Sequence, residues 1–349
     1  MIAKIKKPPS RVLFLVWGGI GNMVMSLPMI NAARRELAGS TIMVLAQNEV
    51  MLSLLGEDSR FIKISMDDPR YRGFFGKVSL LKIIRQQAPG AFVTAIPAPS
   101  LRSGLLAFLS GAGVRICEKK YANALFNVRL AGDDGYRHFI HRNMDLLKPL
   151  GIEGKEAGFG IRPSATDQAR AGDFLDKNNI FRDKPVIGIH PGSGMALRRW
   201  PEERFIAIGK ELAAQGFPMI IFGGPEEAGL AGRVAEGIGP GACRYLSGES
   251  FGTTLALIGS CGLFISNDSG LAHCASALGV PTVVIFGPVD PEVYGHTAAN
   301  VRIIKKQTDC GPCYDSSHRL RCKMPVQRCL DISVVMVLEA ARKMMSAVK

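Results

Sequence analysis

The residues best suited to chemistry lie in short polar loops, each of which follows an apolar run. The loop SNDSG at 266–270 places Asp268 where such a run gives way to a helical pattern. Backbone amides at a helix start attract anions, and Gly270 allows close approach. His273 lies one turn later and reaches the same anion, while Asp268 either caps the helix or binds a sugar hydroxyl or amine. The pattern predicts a ligand site at this loop, with Ser269, Gly270 and His273 at the anion and Asp268 beside it.

A second set of anion-binding groups lies in the loop HPGSGMALRRWP at 190–201. Gly192, Ser193 and Gly194 form a polar glycine turn there. Arg198 and Arg199 carry guanidinium groups, whose forked donors suit a diphosphate. The alternative interpretation is a basic loop packed around a buried tryptophan.

Acidic and imidazole groups follow two of the apolar runs. FGGPEE places Glu226 and Glu227 at a helix start, where either one caps the helix or accepts hydrogen bonds from ribose hydroxyls. His190 is isolated in the sequence, so no catalytic triad is predicted. The sequence also lacks a Walker A loop, a GxSxG nucleophile motif and an HExxH zinc motif.

The loop GGIGN near the start contains Gly18, Gly19, Gly21 and Asn22 between an apolar run and a helical pattern. It departs from the dinucleotide fingerprint because Val24 stands where the third small residue belongs. The following apolar run, TIMVLAQ, also lacks a terminal acidic residue, which disfavours a nicotinamide-dependent oxidoreductase. The loop either admits a phosphate or sugar close to its backbone or is a tight turn with Asn22 as the helix N-cap.

Four of the eight cysteines have the spacing CxxC-x8-C-x6-C, at Cys310, Cys313, Cys322 and Cys329. They either hold a structural zinc ion or iron–sulfur cluster or are loop cysteines without a ligand. Four protein ligands would leave no open position, so no catalytic metal and no cofactor are predicted. The other cysteines stand in apolar contexts typical of a core.

Continuous apolar runs alternate with helical patterns along the chain, which indicates parallel sheets buried on both faces. The predicted strands are 11–17, 41–47, 61–65 and 91–98, then 185–191, 218–224, 262–268 and 281–288. Two such series predict an α/β protein with two doubly wound domains that face each other across a cleft. The expected domains are 1–165 and 166–330, with an amphipathic helix at 331–349 that packs back toward the first domain.

The whole chain has a net formal charge of +13, and most of this charge lies in the first half. Residues 1–165 hold 23 Lys+Arg and 12 Asp+Glu, whereas the remainder holds 20 and 18. The first half is therefore either a solvated basic surface or a binding surface for nucleic acid, anionic lipid headgroups or a phosphorylated sugar. The early apolar run is too short for a secretory signal, and no run approaches a membrane span. We expect a cytoplasmic protein whose cysteines are thiols or metal ligands.

Taken together, these loops resemble glycosyltransferase family 9, the lipopolysaccharide heptosyltransferase family. The resemblance covers nearly the whole chain and is most specific in SNDSGLAHCASALGVP and FGPVDP. It implies the GT-B fold, with an acceptor domain first and a nucleotide-sugar domain second. It also implies inverting, metal-independent transfer, with ADP-heptose as the default donor. The acceptor would be a phosphorylated lipopolysaccharide core on the inner face of the inner membrane, and nucleic acid is not an expected partner.

The same resemblance assigns roles to the polar loops. Ser193 and Arg198 would contact the donor diphosphate, with Arg198 where the family commonly has Lys, and Glu227 would face the ribose. The residues that would hold the rest of the nucleotide sugar are Gly192, Asp268, Ser269, Gly270 and His273. Gly18, Gly19 and Gly21 would line the acceptor side.

Asn22 departs from the family pattern, which commonly has Asp at this position as the catalytic base. A neutral amide lacks useful basicity, although it can orient a hydroxyl. Either His138 or His141 serves as the base, or an acceptor phosphate takes the proton, or the protein binds the donor without transferring the sugar. A nucleotide-sugar epimerase is a further alternative.

Overall fold

The computed structural model describes residues 8–95, 100–118, 124–130, 137–153, 157–180, 184–246, 250–313, 322, 324 and 327–346. The chain divides into two compact units, Met1–Gly160 and Ile161–Lys349. The division therefore falls shortly before residue 165, the end of the predicted first domain, where the first helix of the second unit begins.

The first unit contains a six-stranded parallel sheet with strand order β3-β2-β1-β4-β5-β6. The strands are β1 (Arg11–Val16), β2 (Thr41–Ala46), β3 (Phe61–Ser65), β4 (Ala91–Ala95), β5 (Val114–Glu118) and β6 (Val128–Leu130). The helices are α1 (Ile20–Glu36), α2 (Glu49–Ser53), α3 (Gly73–Gln86), α4 (Leu101–Leu109) and α5 (Phe139–Asp145). Residues 96–98 of the fourth predicted strand lie outside the described residues.

The second unit repeats this plan with strand order β12-β11-β10-β7-β8-β9. The strands are β7 (Ile187–His190), β8 (Met219–Gly223), β9 (Ala242–Leu246), β10 (Leu263–Asn267), β11 (Thr282–Phe286) and β12 (Val301–Lys305). The helices are α6 (Ala165–Lys177), α7 (Glu202–Ala214), α8 (Ala228–Ile238), α9 (Phe251–Gly259), α10 (Gly270–Ala277), α11 (Pro291–Tyr294) and α12 (Val334–Ser346).

Both sheets are doubly wound, which confirms the predicted fold class of two Rossmann-like units. The direction of winding reverses between β1 and β4 in the first sheet and between β7 and β10 in the second. In such sheets, ligands bind beyond the carboxyl ends of the strands at the reversal. GGIGN follows β1, HPGSG follows β7 and SNDSG follows β10, so each loop lies at a reversal point.

Apart from the edge strand β3, which exposes Lys63, the predicted strands are those that the fold buries on both faces. β1 buries every residue after Arg11, and β10 and β11 are buried throughout. Four strands, β5, β6, β9 and β12, were not predicted, and each contains an arginine. β6, β9 and β12 are sheet edges and β5 lies next to an edge, and Arg129 of β6 and Arg302 of β12 are exposed.

Helix α12 packs within the second unit. Its buried residues, among them Val337, Leu338 and Ala341, belong to the same core as Phe205 of α7 and Ile285 of β11. We expected this helix to pack toward the first domain, whereas these contacts lie in the second unit. An amphipathic pattern identifies the apolar face of a helix, but the partner of that face depends on tertiary structure.

Candidate functional site

The polar groups of the second unit converge at the carboxyl edge of its sheet. β7 and β10 are neighbours with Ser266 opposite His190, so the loops that follow them lie side by side. FGGPEE follows β8, the other neighbour of β7. The sheet thereby brings together three loops that are far apart in the sequence.

A buried amide, Asn267, holds the loop after β7 in place. Its Nδ2 donates to the Pro191 carbonyl at 2.7 Å, and its Oδ1 accepts from the Trp200 amide at 2.9 Å. Trp200 is buried and donates through its indole nitrogen to Ile332. Sequence reasoning singled out neither contact, because Asn267 belongs to a strand whose pairing defines its partners.

The two arginines of this loop have different roles. Arg199 donates to the Ser193 carbonyl from Nε at 3.0 Å and from a terminal nitrogen at 2.8 Å, which locks the glycine turn. A terminal nitrogen of Arg198 lies 3.1 Å from Oδ2 of Asp268. Arg198 is therefore the cation held at the site, whereas Arg199 shapes the loop.

Asp268 is buried at the junction of the two loops. Its carbonyl accepts a hydrogen bond from Ser193 Oγ at 3.0 Å. Burial raises the pKa of its carboxyl above the ordinary value, and the charge of Arg198 opposes that effect. Asp268 does not cap α10, because Ser269 Oγ accepts the Ala272 amide at 3.2 Å in that role. Of the two alternatives for Asp268, the helix cap was wrong, whereas the helix start near Ser269 is confirmed.

His190 joins the glutamate loop to the start of α10. Its Nε2 lies 3.0 Å from Oε2 of Glu227, and its Nδ1 lies 3.0 Å from Ser269 Oγ and 3.3 Å from Ser266 Oγ. A Glu–His–Ser arrangement is therefore present, and the view of His190 as isolated was wrong. The Ser269 hydroxyl also caps α10, so this Glu–His–Ser arrangement positions the start of the helix.

Glu227 is the glutamate that caps its own loop. Its Oε2 accepts the Gly224 amide at 3.1 Å, whereas Glu226 is exposed. Burial acts to raise the pKa of Glu227, but the hydrogen bond and charge of His190, the Gly224 amide and the charge of Arg199 outweigh it and bring the pKa to about 2. A Cβ placed on Gly192 would lie 2.0 Å from Oε1 of Glu227, so the glycine admits this carboxylate.

His273 lies on the first turn of α10 and is buried. Its ring stacks on that of His296, with centroids 4.1 Å apart and planes inclined by 20°. Gly270, at the first helical position, carries no side chain between this turn and an incoming group. The predicted cluster of Gly192, Ser193, Arg198, Glu227, Asp268, Ser269, Gly270 and His273 therefore lies within one unit.

The glycine loop of the first unit is closed by Asn22. Gly19 is the N-cap of α1, so Asn22 is the third helical residue and the alternative in which Asn22 is the N-cap was wrong. Its Nδ2 donates to the Trp17 carbonyl at 3.2 Å. Gly18 has φ of +111°, and a Cβ there would lie 2.1 Å from Nδ2 of Asn22. With Gly21 in the first turn of α1, the loop is compact around the Asn22 amide.

The two candidate bases differ in their surroundings. His138 is buried as the N-cap of α5, and its Nδ1 accepts from the Ile140 amide at 3.3 Å. His141 is exposed one turn later, with its ring centroid 6.0 Å from that of His138. His138 therefore has a structural role, and His141 is the more accessible imidazole.

The thiols of the C-terminal cysteines use local oxygen partners. Cys310 donates to Thr308 Oγ1 at 3.6 Å, Cys313 to the Cys310 carbonyl at 3.5 Å and Cys322 to the Met324 carbonyl at 3.6 Å. Cys329 is buried. Across the described residues, no group of three or more His, Cys, Asp or Glu side chains is placed to hold a metal ion.

Solved bacterial structures share this architecture. The glycosyltransferase family 9 structure from Veillonella parvula matches 99% of this chain and 99% of its own at 21% identity, with a TM-score of 0.87. The Escherichia coli ADP-heptose lipopolysaccharide heptosyltransferase II matches 97% of this chain and 99% of its own at 19% identity, with a TM-score of 0.76. The fold class is therefore that of the GT-B glycosyltransferases.

Sequence comparison assigns the family within this class. The family model for glycosyltransferase family 9 (heptosyltransferase) matches residues 82–324, and the chain belongs to that family. Lipopolysaccharide heptosyltransferase 2 of Escherichia coli K12 is 26% identical over 219 residues, which span 59% of this chain and 62% of that protein. Lipooligosaccharide heptosyltransferase 2 of Haemophilus ducreyi is 25% identical over 80% of this chain and 84% of its own.

Proposed function

We propose that the chain is an inverting, metal-independent glycosyltransferase that moves heptose from ADP-heptose to a lipopolysaccharide core-type acceptor. The observation that carries this proposal is the cluster at the carboxyl ends of β7 and β10. There, a held arginine, an ionised glutamate and a helix start lie together around a glycine turn. Relatives named as heptosyltransferases support the choice of sugar.

The second unit would stabilise the leaving nucleoside diphosphate. The bond from the anomeric carbon to the diphosphate oxygen breaks, and the electron pair leaves with ADP. Arg198, His273 and the amides at the start of α10 would face the negative charge that develops on ADP. Since these groups are fixed before the reaction, they lower the barrier without a metal ion. Glu227, ionised and held by His190, would accept hydrogen bonds from ribose hydroxyls.

The first unit would present the acceptor hydroxyl, whose oxygen attacks the anomeric carbon. The Asn22 amide would orient that hydroxyl through Oδ1, since Nδ2 donates to Trp17. The departing proton goes to another group, either His141 or a phosphate of the acceptor. A phosphorylated acceptor also matches the positive charge of residues 1–165.

The acceptor implies a place of action. We propose that the chain works in the cytoplasm, as a peripheral protein on the inner face of the inner membrane. Among the described residues, no helix is long and apolar enough to cross a bilayer. A growing lipopolysaccharide core is anchored in the membrane by its lipid, so the enzyme must reach the bilayer surface.

The first test is a thermal-shift screen against ADP-, GDP-, UDP- and dTDP-sugars, with NAD alongside. We expect selective stabilisation by ADP-heptose, and we expect Asp268→Ala and His273→Ala to reduce it at least tenfold in apparent affinity. A response to NAD alone, or nucleotide-sugar binding unchanged in both variants, would overturn the proposal.

Asn22 favours a second candidate function, a nucleotide-sugar-binding family member without transferase activity. A general base contributes about 10²–10⁴-fold to such a reaction, and an amide cannot replace it. Donor affinity without turnover on any core acceptor would support this candidate. Product formation by the unaltered chain, compared with Asn22→Asp, would exclude it.

A further inference from the structure

One surface of the first unit combines positive charge with exposed apolar side chains. Between Asp68 and Glu118 the sequence has seven Lys and Arg residues and no Asp or Glu. This stretch, 69–117, contains α3 and α4. Mixed-sign charge is the norm on protein surfaces, so a stretch of this length with one sign indicates an anionic partner.

Helix α4 has its large apolar side chains on the outside. It buries Ser103, Gly104 and Ala107 against the sheet. Its exposed large side chains are Leu101, Leu105 and Phe108, spaced as one helical stripe. A surface helix in a soluble protein normally has the opposite arrangement, with large apolar residues toward the core. The outer stripe of α4 is therefore suited to an apolar environment.

The first turns of α3 extend this surface. Phe74 and Phe75 are 76% and 85% exposed, among the highest exposures of any large apolar residue described, and Val78 is exposed beside them. Arg72 and Lys77 are exposed within the same segment. We call the outer side chains of α3 and α4 the basic–apolar face.

The two helices lie together on one side of the first sheet. They contact each other, and Leu80 of α3 and Ala107 of α4 enter the same core. Each helix runs from the carboxyl edge of a parallel sheet, so Phe74 and Leu101 lie toward the edge that carries the GGIGN loop. Trp17, at that edge, is 47% exposed.

We propose that the basic–apolar face docks the protein on an anionic lipid bilayer. Aromatic and leucine side chains enter the headgroup–acyl boundary, while lysine and arginine pair with anionic headgroups. The inference rests on the proposed function for its purpose, because it brings the acceptor loop to the surface that holds a lipid-linked acceptor. A second copy of this face is a poorer partner, since a symmetric contact would place its basic residues against one another.

The test is flotation of the full-length chain with vesicles of phosphatidylglycerol and phosphatidylethanolamine, compared with phosphatidylcholine vesicles. We expect binding to the anionic vesicles alone, weakened by salt. The double variant Phe74→Ser and Phe75→Ser should bind at least about tenfold more weakly. The matched control is Val335→Ser with Met336→Ser, which removes two exposed apolar side chains from α12 and should bind normally.

A charge variant separates the electrostatic contribution. Lys77→Glu with Arg102→Glu should weaken vesicle binding and reduce its salt dependence, whereas Lys210→Glu, on an exposed position of α7, should not. Trp17 gives an optical readout, because the only other tryptophan, Trp200, is 2% exposed. The fluorescence emission of Trp17 should shift to shorter wavelength when the protein binds anionic vesicles.

Three results would overturn the inference: equal binding to both vesicle types, unchanged binding of the double phenylalanine variant, or a dimer in light scattering that this variant abolishes. The last result would assign the face to a second copy. Failure of the docking inference can be told from failure of the proposed function. Vesicle binding needs no donor, and the thermal shift with ADP-heptose measures donor binding separately. Vesicle binding without any nucleotide-sugar response would disprove the proposed function and leave the docking surface standing.

Discussion

The contact between Glu227 and His190 organises the candidate donor site. The carboxylate accepts from the Gly224 amide and lies 3.0 Å from the imidazole, which in turn lies 3.0 Å from the Ser269 hydroxyl. A side chain at residue 192 would overlap this carboxylate, so Gly192 leaves the space that it occupies. One glutamate thus connects the loops after β7, β8 and β10.

Replacing the charge of Glu227 should weaken donor binding. We expect Glu227→Gln to lower the affinity for ADP about tenfold in titration calorimetry, because a neutral amide loses the charge-assisted contact with His190. Glu226→Gln is the matched control, since Glu226 is the exposed neighbour. Equal affinities of the two variants would contradict the assigned role.

The lowered pKa of Glu227 also predicts an acid dependence of stability. Its folded pKa of about 2 lies below the ordinary value of 4.5, so ionisation stabilises the fold above pH 4.5 and that contribution is lost as the pH falls toward 2. We expect the free energy of unfolding of Glu227→Gln to be lower than that of the wild type near neutral pH. The difference should shrink across this window in urea titrations, and a constant difference would count against it.

A substitution at Gly192 independently tests whether the position of the Glu227 carboxylate matters for ADP binding. In Gly192→Ala the new methyl would meet the mobile end of the Glu227 side chain, so the carboxylate should move while the fold persists. We expect ADP affinity to fall about tenfold, together with a lower melting temperature, because the displaced carboxylate leaves His190 and the Gly224 amide. Gly194→Ala is the control, because nothing lies within 4 Å of a Cβ at that position. Normal ADP affinity in Gly192→Ala would show that the Glu227 position is unimportant for binding.

At the scale of elements, the loop from β1 to α1 depends on a glycine and an amide that fit each other. Gly18 has a left-handed backbone, and Asn22 occupies the space where a side chain on residue 18 would lie. The Asn22 amide donates to the Trp17 carbonyl at the end of β1. An aspartate could not donate this bond. Asn22, which stands where the family resemblance leads us to expect a catalytic aspartate, therefore also closes the loop.

Substitution of Gly18 should therefore destabilise the first unit. We expect Gly18→Ala to cost about 1–3 kcal/mol of unfolding free energy, from the positive φ and the contact with Asn22. Adding Asn22→Ala should recover only the part due to the contact. Gly19→Ala has an ordinary φ and open space, so it should lose only the preference of an N-cap for glycine over alanine, about 0.5 kcal/mol. A loss as large as that of Gly18→Ala would refute the argument.

At the scale of the whole molecule, each unit has its own sheet and its own core. Leu13 and Phe92 belong to the core of the first unit, whereas Ile187 and Ile285 belong to that of the second. The predicted donor residues all lie in the second unit, and the glycine loop with Asn22 lies in the first. Under the proposed function, donor and acceptor binding belong to separate folding cores.

This separation predicts where a donor ligand protects the chain. We expect ADP to slow amide hydrogen exchange most at 190–194 and 266–273, because ligand binding stabilises the unit that holds it. Residues 17–22 should change much less. Mass spectrometry of the full chain with and without ADP measures this, with Gly192→Ala as the variant that should lose the protection. Equal protection of 17–22 would contradict the assignment.

The sequence by itself determined the elements and loops whose physics is local. Buried parallel strands must be apolar on both faces, so β1, β7, β10 and β11 were predictable. The polar loops after them predicted the donor cluster before any tertiary contact was known. Arginine-bearing edge strands such as β12 escaped the pattern, because solvent at an edge removes the requirement for continuous apolarity.

Only the tertiary structure decided which partners those residues meet. His190 has no partner within its own loop, and strand pairing brings Glu227 and Ser269 to it. Strand pairing also brings Asn267 to the Trp200 amide, from which it accepts a hydrogen bond. Helix α12 packs in the core of the second unit. Asn22 donates a hydrogen bond to the Trp17 carbonyl because the chain turns back at Gly18. The contacts of His190, Asn267 and α12 depend on the order of strands, which a period of apolar residues along one chain does not encode.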